Sequence, residues 1–411
     1  MVAGRMTLRA ALQYVFVAFA LIMLAGCASV TRAPFTQEQQ AAATIPGIPD
    51  ARIWSDERAD ALIARARAST PAARGGQVNV LALSGGGSNG AYGAGLLAGW
   101  TARGTRPEFA VVTGASAGAL LAPFAFLGPG YDQPLASLIS EGFGEELLQI
   151  DGLQAIFGAG VFKTEPLKRL IARYVGVEML ERIAVEHSKG RRLLVVTTNI
   201  DAQRTAVWDM GAIAASGVPG ALELFRNVLV ASASVPGVFS PVLIDVEGQG
   251  RRFAEMHVDG GVRANLLVVP ESLLLSSLSP LGGTRTHVYI VLNDKLEQDF
   301  EVTEGRALKI VARSFTTAVK ANTQNTLIAT FDFARRNKWD FNLAAIEADY
   351  PTTASYGFDK NYMRALYQYG YEQGAKGPPW RKTLPTTYTV PSPNTPAVPP
   401  RARARTAASL N

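Results

Sequence analysis

The chain has 411 residues, 48% hydrophobic and 18% charged, a globular balance with room for one large domain or two small ones. A net charge of +6, with bases and acids interspersed except at Arg401, Arg403 and Arg405, is too mild to argue for nucleic acid. The single cysteine, Cys27, excludes an intramolecular disulfide and a thiolate zinc site; His187, His257 and His287 lack metal-ligand spacing, so no metal or cofactor is expected.

Arg5 and Arg9 precede an apolar run from Ala11 to Ala25, shorter than the ~20 residues of a spanning helix. A basic flank, a short apolar core and then small residues make a signal-peptide pattern over residues 1–26. The run ends in Leu24-Ala25-Gly26-Cys27, which resembles the lipobox of bacterial lipoproteins. That resemblance implies lipidation of Cys27, with acyl chains anchoring the protein to a membrane. Ala28 after the cysteine, rather than Asp, implies the outer membrane of a bacterial envelope, facing the periplasm. An uncleaved anchor is the plainer reading of the same run.

Residues 27–50 are polar with scattered Ala, Thr and Pro and read as a flexible tether. The pattern predicts a helix from Trp54 to Ser69, capped by Ser55. A strand-turn-helix series follows: strands at Val78–Leu83 and Phe109–Thr113, helices at Ala91–Trp100 and Ala117–Phe126. Arg192–Asn199 and His287–Leu292 read as further buried strands, and Ala307–Arg336 as a long helix. Strands alternating with helices predict an α/β fold with a mainly parallel sheet covered on both faces. Eight prolines past Gly377 forbid regular structure, so residues 377–411 read as a disordered tail and 51–376 as one catalytic domain.

Three motifs sit at strand ends. The first is Ser84-Gly85-Gly86-Gly87-Ser88-Asn89-Gly90, whose glycines let several N–H groups converge on one spot beside a helix start. Such a loop suits an anion of either of two kinds. Gly85, Gly87 and Gly90 match a dinucleotide-type GxGxxG, with Glu108 near the place of a ribose acid; alternatively the anion is the oxyanion of acyl transfer. The second motif, Gly114-Ala115-Ser116-Ala117-Gly118, matches the G-x-S-x-G nucleophile elbow. The third, Asp259-Gly260-Gly261, follows the alternating stretch Phe253–Val258, where a plain turn is the bland reading.

In that order and context the motifs resemble the patatin-like phospholipase family, as does Ala231–Pro241 upstream of the aspartate; the likeness spans about half the chain, Asn79 to Leu292. It implies a three-layer α/β/α sandwich and a serine carboxylic-ester hydrolase acting on lipid or phospholipid acyl esters. Ser116 would be the nucleophile and Asp259 its base, with Gly85, Gly86, Gly87, Asn89 and Gly90 as the oxyanion hole. The family usually carries Arg or Lys at the position of Asn89, and often Asp or Gly at that of Ser84. Losing that cation keeps the backbone donors but removes a partner for a phosphate headgroup.

An ordinary aspartate, with pKa about 3.9, is a weak base for a serine, so Asp259 is expected to be partly desolvated. Among the histidines His257 is the rival base. It shares a strand face with Asp259, about 7 Å further back. His187 reads as a solvated loop residue and His287 as structural. An acyltransferase with the same dyad, a nucleotide-binding protein and a non-catalytic lipid-binding lipoprotein are the alternative functions.

Overall fold

The computed structural model describes residues 32–69, 76–142, 160–276, 284–351 and 358–385. Cys27, the predicted signal segment and residues 386–411 lie outside them. Its strands, in chain order, are β1 (Arg52–Trp54), β2 (Gln77–Leu83), β3 (Val111–Ala115), β4 (Gly160–Phe162), β5 (Arg192–Asn199) and β6 (Arg204–Asp209). They continue with β7 (Gly237–Phe239), β8 (Val242–Gly248), β9 (Arg251–Asp259), β10 (Arg285–Lys295) and β11 (Asp340–Ile346).

One sheet runs β1-β6-β5-β3-β2-β10-β11, with β9 also paired to β5 and β8 to β9. From β5 to β11 every pairing on this path is parallel. The helices Gly90–Ala102 and Ala117–Leu127, long runs of Ala and Leu buried almost throughout, pack against it. This is the mixed α/β fold with a mainly parallel sheet that the motif order predicts. The Val, Leu and Ile runs of β2, β5 and β10 form its buried centre, because a parallel sheet covered on both faces presents little surface to water.

The margins of the sheet depart from the sequence reading. Trp54 ends a strand, and the predicted helix begins only at Ala59. Ser55 caps no helix of its own: its N–H extends the edge ladder to the Thr205 carbonyl at 3.0 Å, and its Oγ accepts from Glu271 N–H at 2.8 Å. The segment read as a tether is folded from residue 32. Thr36 closes a capping box on the helix Gln37–Ala41, Thr44 and Glu247 exchange two backbone hydrogen bonds of 2.9 Å, and Phe35 stacks on Phe253. Its polarity hides three core residues, Ala43, Ile45 and Ile48.

At the other end the fold continues past residue 376. Trp380 lies 5.0 Å from the Trp100 ring, and Arg381 exchanges backbone hydrogen bonds with Leu343 of β11. Prolines exclude helix and central strand there, but they do not exclude packing. Among the described residues no helix is long and apolar enough to cross a membrane.

Candidate active site

The register of β5 decides where the motifs meet. Its residues Arg192–Val196 pair with β3, ending at Ala115↔Val196. The next residue, Thr197, pairs with Asp259 of the antiparallel β9. Because β6 holds the opposite edge of β5, β3 and β9 share one edge and run toward each other. Their C-terminal tips, Ser116 and Asp259, therefore come together.

Ser116 takes φ 52 and ψ −124, a conformation costly for a side chain with a Cβ, and the surrounding contacts enforce it. Its N–H donates to Ser232 Oγ at 3.0 Å, and that hydroxyl donates to the Val196 carbonyl at 2.6 Å. The glycines of the elbow are steric necessities. A Cβ at Gly114 would overlap the backbone at Gly118, and one at Gly118 would overlap the Leu83 carbonyl. Ser116 also stands at the N-terminus of the helix Ala117–Leu127, where the backbone favours negative charge.

Asp259 is 2% exposed. Burial pushes its pKa up to about 7, against the Ser116 side chain and the Gly261 N–H, which both favour the ionised form. Oδ1 accepts the Gly261 N–H at 2.7 Å. Oδ2 is buried without a partner of full hydrogen-bond geometry among the described residues. The Asp259 N–H donates to the Ser234 carbonyl at 2.9 Å. Ser232 and Ser234, within the Ala231–Pro241 segment, thus tie down both Ser116 and Asp259.

The glycine loop lies beside them, between β2 and the helix Gly90–Ala102. Not all of its N–H groups are free. Gly85 donates to the Asn265 carbonyl, Asn89 to the Gly86 carbonyl, and Gly90 to the carbonyls of Gly87 and Ser88. Gly86 and Gly87 are the loop residues whose N–H groups take no hydrogen bond among the described residues.

Sequence reading missed the residues that brace this loop. Asn293 Nδ2 donates to the Ser84 carbonyl at 2.7 Å, and Asn293 Oδ1 accepts the Gly93 N–H at 3.0 Å. A Cβ at Gly86 would strike the Asn293 carbonyl. Asn265 joins the loop to the long helix Ala307–Arg336 by donating to Thr323 Oγ1 at 3.0 Å. The signal for Asn293 was a polar residue at the C-terminal end of a parallel strand, where ligand sites of such sheets lie.

The histidines are elsewhere. His257 is fully buried, bonded to Thr197 Oγ1 at 2.9 Å and Glu255 at 3.2 Å, with its ring against Trp208. It belongs to a core polar network that also pairs Glu255 with Arg52. His187 is no loop residue: it ends the helix Val177–Ser188, 3.5 Å from Asp209. His287 pairs with Asp340 at 2.9 Å.

Ser116, Asp259, Gly85, Gly86, Gly87, Asn89 and Gly261 line a cavity of about 830 Å³, large enough for a lipid-sized ligand. Leu120, Leu167, Val238 and Phe239 supply an apolar wall. Gly260 lies behind this lining, where a Cβ would press on the Val196 carbonyl at 2.7 Å.

No curated protein matches this chain. Among solved structures, the crystal structure of VipD from Legionella pneumophila aligns at 15% identity and a TM-score of 0.39, over 73% of this chain and 66% of that one. This chain thus spans just under two thirds of that chain's length. The family model for patatin-like phospholipase matches residues 81–271, a span that contains the glycine loop, Ser116 and Asp259. Residues 81–271 are a patatin-like phospholipase domain.

Proposed function

We propose that this protein is a lipid acyl-ester hydrolase in which Ser116 attacks the ester carbonyl and Asp259 takes its proton. The observation that carries this reading is the head-to-head meeting of β3 and β9 on one edge of β5. It sets a strained serine against a buried carboxyl at the floor of a partly apolar cavity. The domain match supports lipid hydrolysis in general.

A buried carboxyl with a pKa near 7 is a far better base for a hydroxyl than a solvated one, because its proton affinity approaches what the working pH requires. As the tetrahedral intermediate forms, its oxyanion is met by the N–H groups of Gly86 and Gly87, each worth on the order of 3 kcal/mol in such a role. Collapse expels the alcohol, which recovers the proton from Asp259. The same carboxylate then activates water against the acyl-enzyme. Gly85, Asn89 and Gly90, whose N–H groups are bonded within the protein, shape the loop instead of donating from the backbone.

The test is a fluorophosphonate probe combined with fatty-acid release from a lipid panel. Wild type should be labelled and active, and Ser116→Ala neither. Equal fatty-acid release by Ser116→Ala would end the proposal.

We further propose that Cys27 carries the lipid anchor, holding the enzyme to a bacterial envelope membrane, the outer one facing the periplasm. The support is Leu24-Ala25-Gly26-Cys27 after a short apolar core, with the chain's single cysteine at that spot. Clickable palmitate fed to cells should label wild type, and equal labelling of Cys27→Ser would refute the anchor.

A further inference from the structure

We propose that the cavity selects acyl esters of uncharged, hydroxyl-bearing alcohols over esters whose alcohol carries an anionic phosphate, with Asn89 as the specificity-determining donor. This rests on the hydrolase reading above and names its substrate class.

Asn89 lines the cavity at the end of the glycine loop and is 2% exposed. Its Oδ1 is occupied by the Tyr362 hydroxyl, which donates at 2.7 Å. Burial pushes the Tyr362 pKa well above its ordinary value, and the nearby charges of Tyr350, Asp294 and Asp299 push the same way, so the phenol keeps the proton it donates. The amide is thereby oriented. Its carbonyl end is turned to Tyr362, and its NH2 end takes no hydrogen bond among the described residues. A neutral amide N–H is a good partner for a hydroxyl or ester oxygen and a poor one for a phosphate, which needs charge compensation once desolvated.

The charges around this donor point the same way. Asp294, within electrostatic reach of Tyr362, lines the cavity; burial raises its pKa against the pull of Lys320, and its carboxyl oxygen can accept from a ligand hydroxyl. The lining cations are largely committed. Lys320 lies 3.3 Å from Asp299 and 3.8 Å from Asp294, Lys295 lies 3.3 Å from Asp299, and Arg313 lies 3.4 Å from Glu301. Lys309 is the lining cation with no carboxylate partner among the described residues. An anionic headgroup would therefore find Lys309 as its one uncommitted cation among the described residues, and anywhere else in the cavity it would break ion pairs or lie against Asp294. A glycerol-like alcohol would instead find a donor in Asn89 and an acceptor in Asp294 within the same cavity.

The experiment compares kcat/KM for fatty-acid release from mixed micelles of dioleoylglycerol with that from micelles of dioleoyl phosphatidylglycerol, chain for chain. Hydrolysis of p-nitrophenyl butyrate and fluorophosphonate labelling of Ser116 report the chemistry. Wild type should favour dioleoylglycerol by about tenfold or more, the range one well-placed polar contact supplies. Asn89→Lys should shift that ratio toward the phospholipid by a similar factor, and Asp294→Asn should shift it the same way by less. Asp294→Asn decides alone if Asn89→Lys does not fold. Preference of wild type for the phospholipid, or an unmoved ratio in the folded variants, overturns the inference while labelling and butyrate turnover leave the hydrolase reading standing. Failure of both chemical readouts removes the hydrolase reading and this inference with it.

Discussion

Two sets of glycines flank the helix Gly90–Ala102, and they serve opposite ends. In front of it Gly85, Gly86 and Gly87 make a cavity-lining loop in which two N–H groups take no hydrogen bond among the described residues. On its other side Gly95 and Gly99 lie against the backbone at Tyr367 and Tyr371 of the helix Lys360–Lys376, whose Gly370 and Gly374 lie against the backbone at Tyr92 and Leu96. A Cβ at Gly99 would overlap the Tyr371 carbonyl, and one at Gly374 would overlap the Leu96 carbonyl. In the loop, the missing side chain exposes polar groups that the protein itself does not satisfy. In the helix pair, it lets two backbones touch over a long crossing. Unsatisfied donors cost stability and serve only chemistry, whereas close backbone contact contributes stability and does no chemistry. The front and back of one helix should therefore answer differently to substitution.

The largest effect belongs to the front. Asp259→Asn keeps the shape and the Gly261 hydrogen bond but removes the proposed base, so kcat should fall about a thousandfold. In wild type kcat/KM should climb as pH rises through about 7 and level off above it, since the ionised carboxylate is the working form. The stability sign is opposite. Folded Asp259 holds its proton up to about 7, while the unfolded residue releases it near 4. This group's contribution to stability is complete below pH 4 and is lost as pH rises toward 7. Urea unfolding at pH 4.5 and 8 should show wild type losing more stability over that interval than Asp259→Asn. Equal losses would mean that the carboxyl is not held in its acid form by burial.

Next comes the loop itself. Gly86→Ala pushes a Cβ at the Asn293 carbonyl and displaces the two free N–H groups, so turnover should fall about a hundredfold. The back of the helix gives the contrast. Gly99→Ala must separate two helices, at a cost of about 1–3 kcal/mol as for other overpacked sites. At roughly 2–4 °C per kcal/mol, its Tm should drop by several degrees while turnover per folded molecule stays at the wild-type value. Calorimetry and active-site titration of the two variants test the contrast directly. A Gly99→Ala enzyme slowed as much as Gly86→Ala would show that the crossing helix sets the loop's geometry.

The front of the helix was legible in the sequence and the back was not. Gly-x-Ser-x-Gly, the triple glycine and Asp-Gly-Gly are local, because each needs small residues within one turn. The parallel strands Val78–Leu83 and Arg192–Asn199 were likewise readable as short apolar runs. What decides the site, however, is the register on β5 that brings Ser116 to Asp259, and that is a pairing of residues far apart in sequence. Asn265, Asn293 and Tyr362 act across the same distances and carry no local mark. The helix Lys360–Lys376 was not anticipated because half of its buried face, Met363, Leu366, Gly370 and Gly374, is glycine, which weakens a helix by propensity and helps only against a partner.

The smallest effect expected, and the sharpest limit on the stabilising region, concerns the chain beyond the crossing helix. Eight prolines past Gly377 suggest that everything there is dispensable. The described stretch through Pro385 argues otherwise, because it closes the open side of Trp100, the residue after Gly99 on the same helix. Trp380 meets the Trp100 and Tyr289 rings at 5.0 and 5.3 Å, and Arg381 adds backbone hydrogen bonds to Leu343 and an ion pair of 2.7 Å to Glu347. Lys382 reaches Asp340 at 2.7 Å, a half-exposed pair worth little by itself. Partial burial of one Trp with two backbone hydrogen bonds amounts to about 2 kcal/mol. A chain ending at Gly377 should therefore melt about 5 °C below wild type, and one ending at Pro385 at the wild-type temperature. Both should hydrolyse a soluble ester at the wild-type rate below their melting temperatures, since none of these residues lines the cavity. Equal melting temperatures for the two truncations would show that Trp380 rests on the domain without stabilising it, and would confine the stabilising region to the glycine crossing.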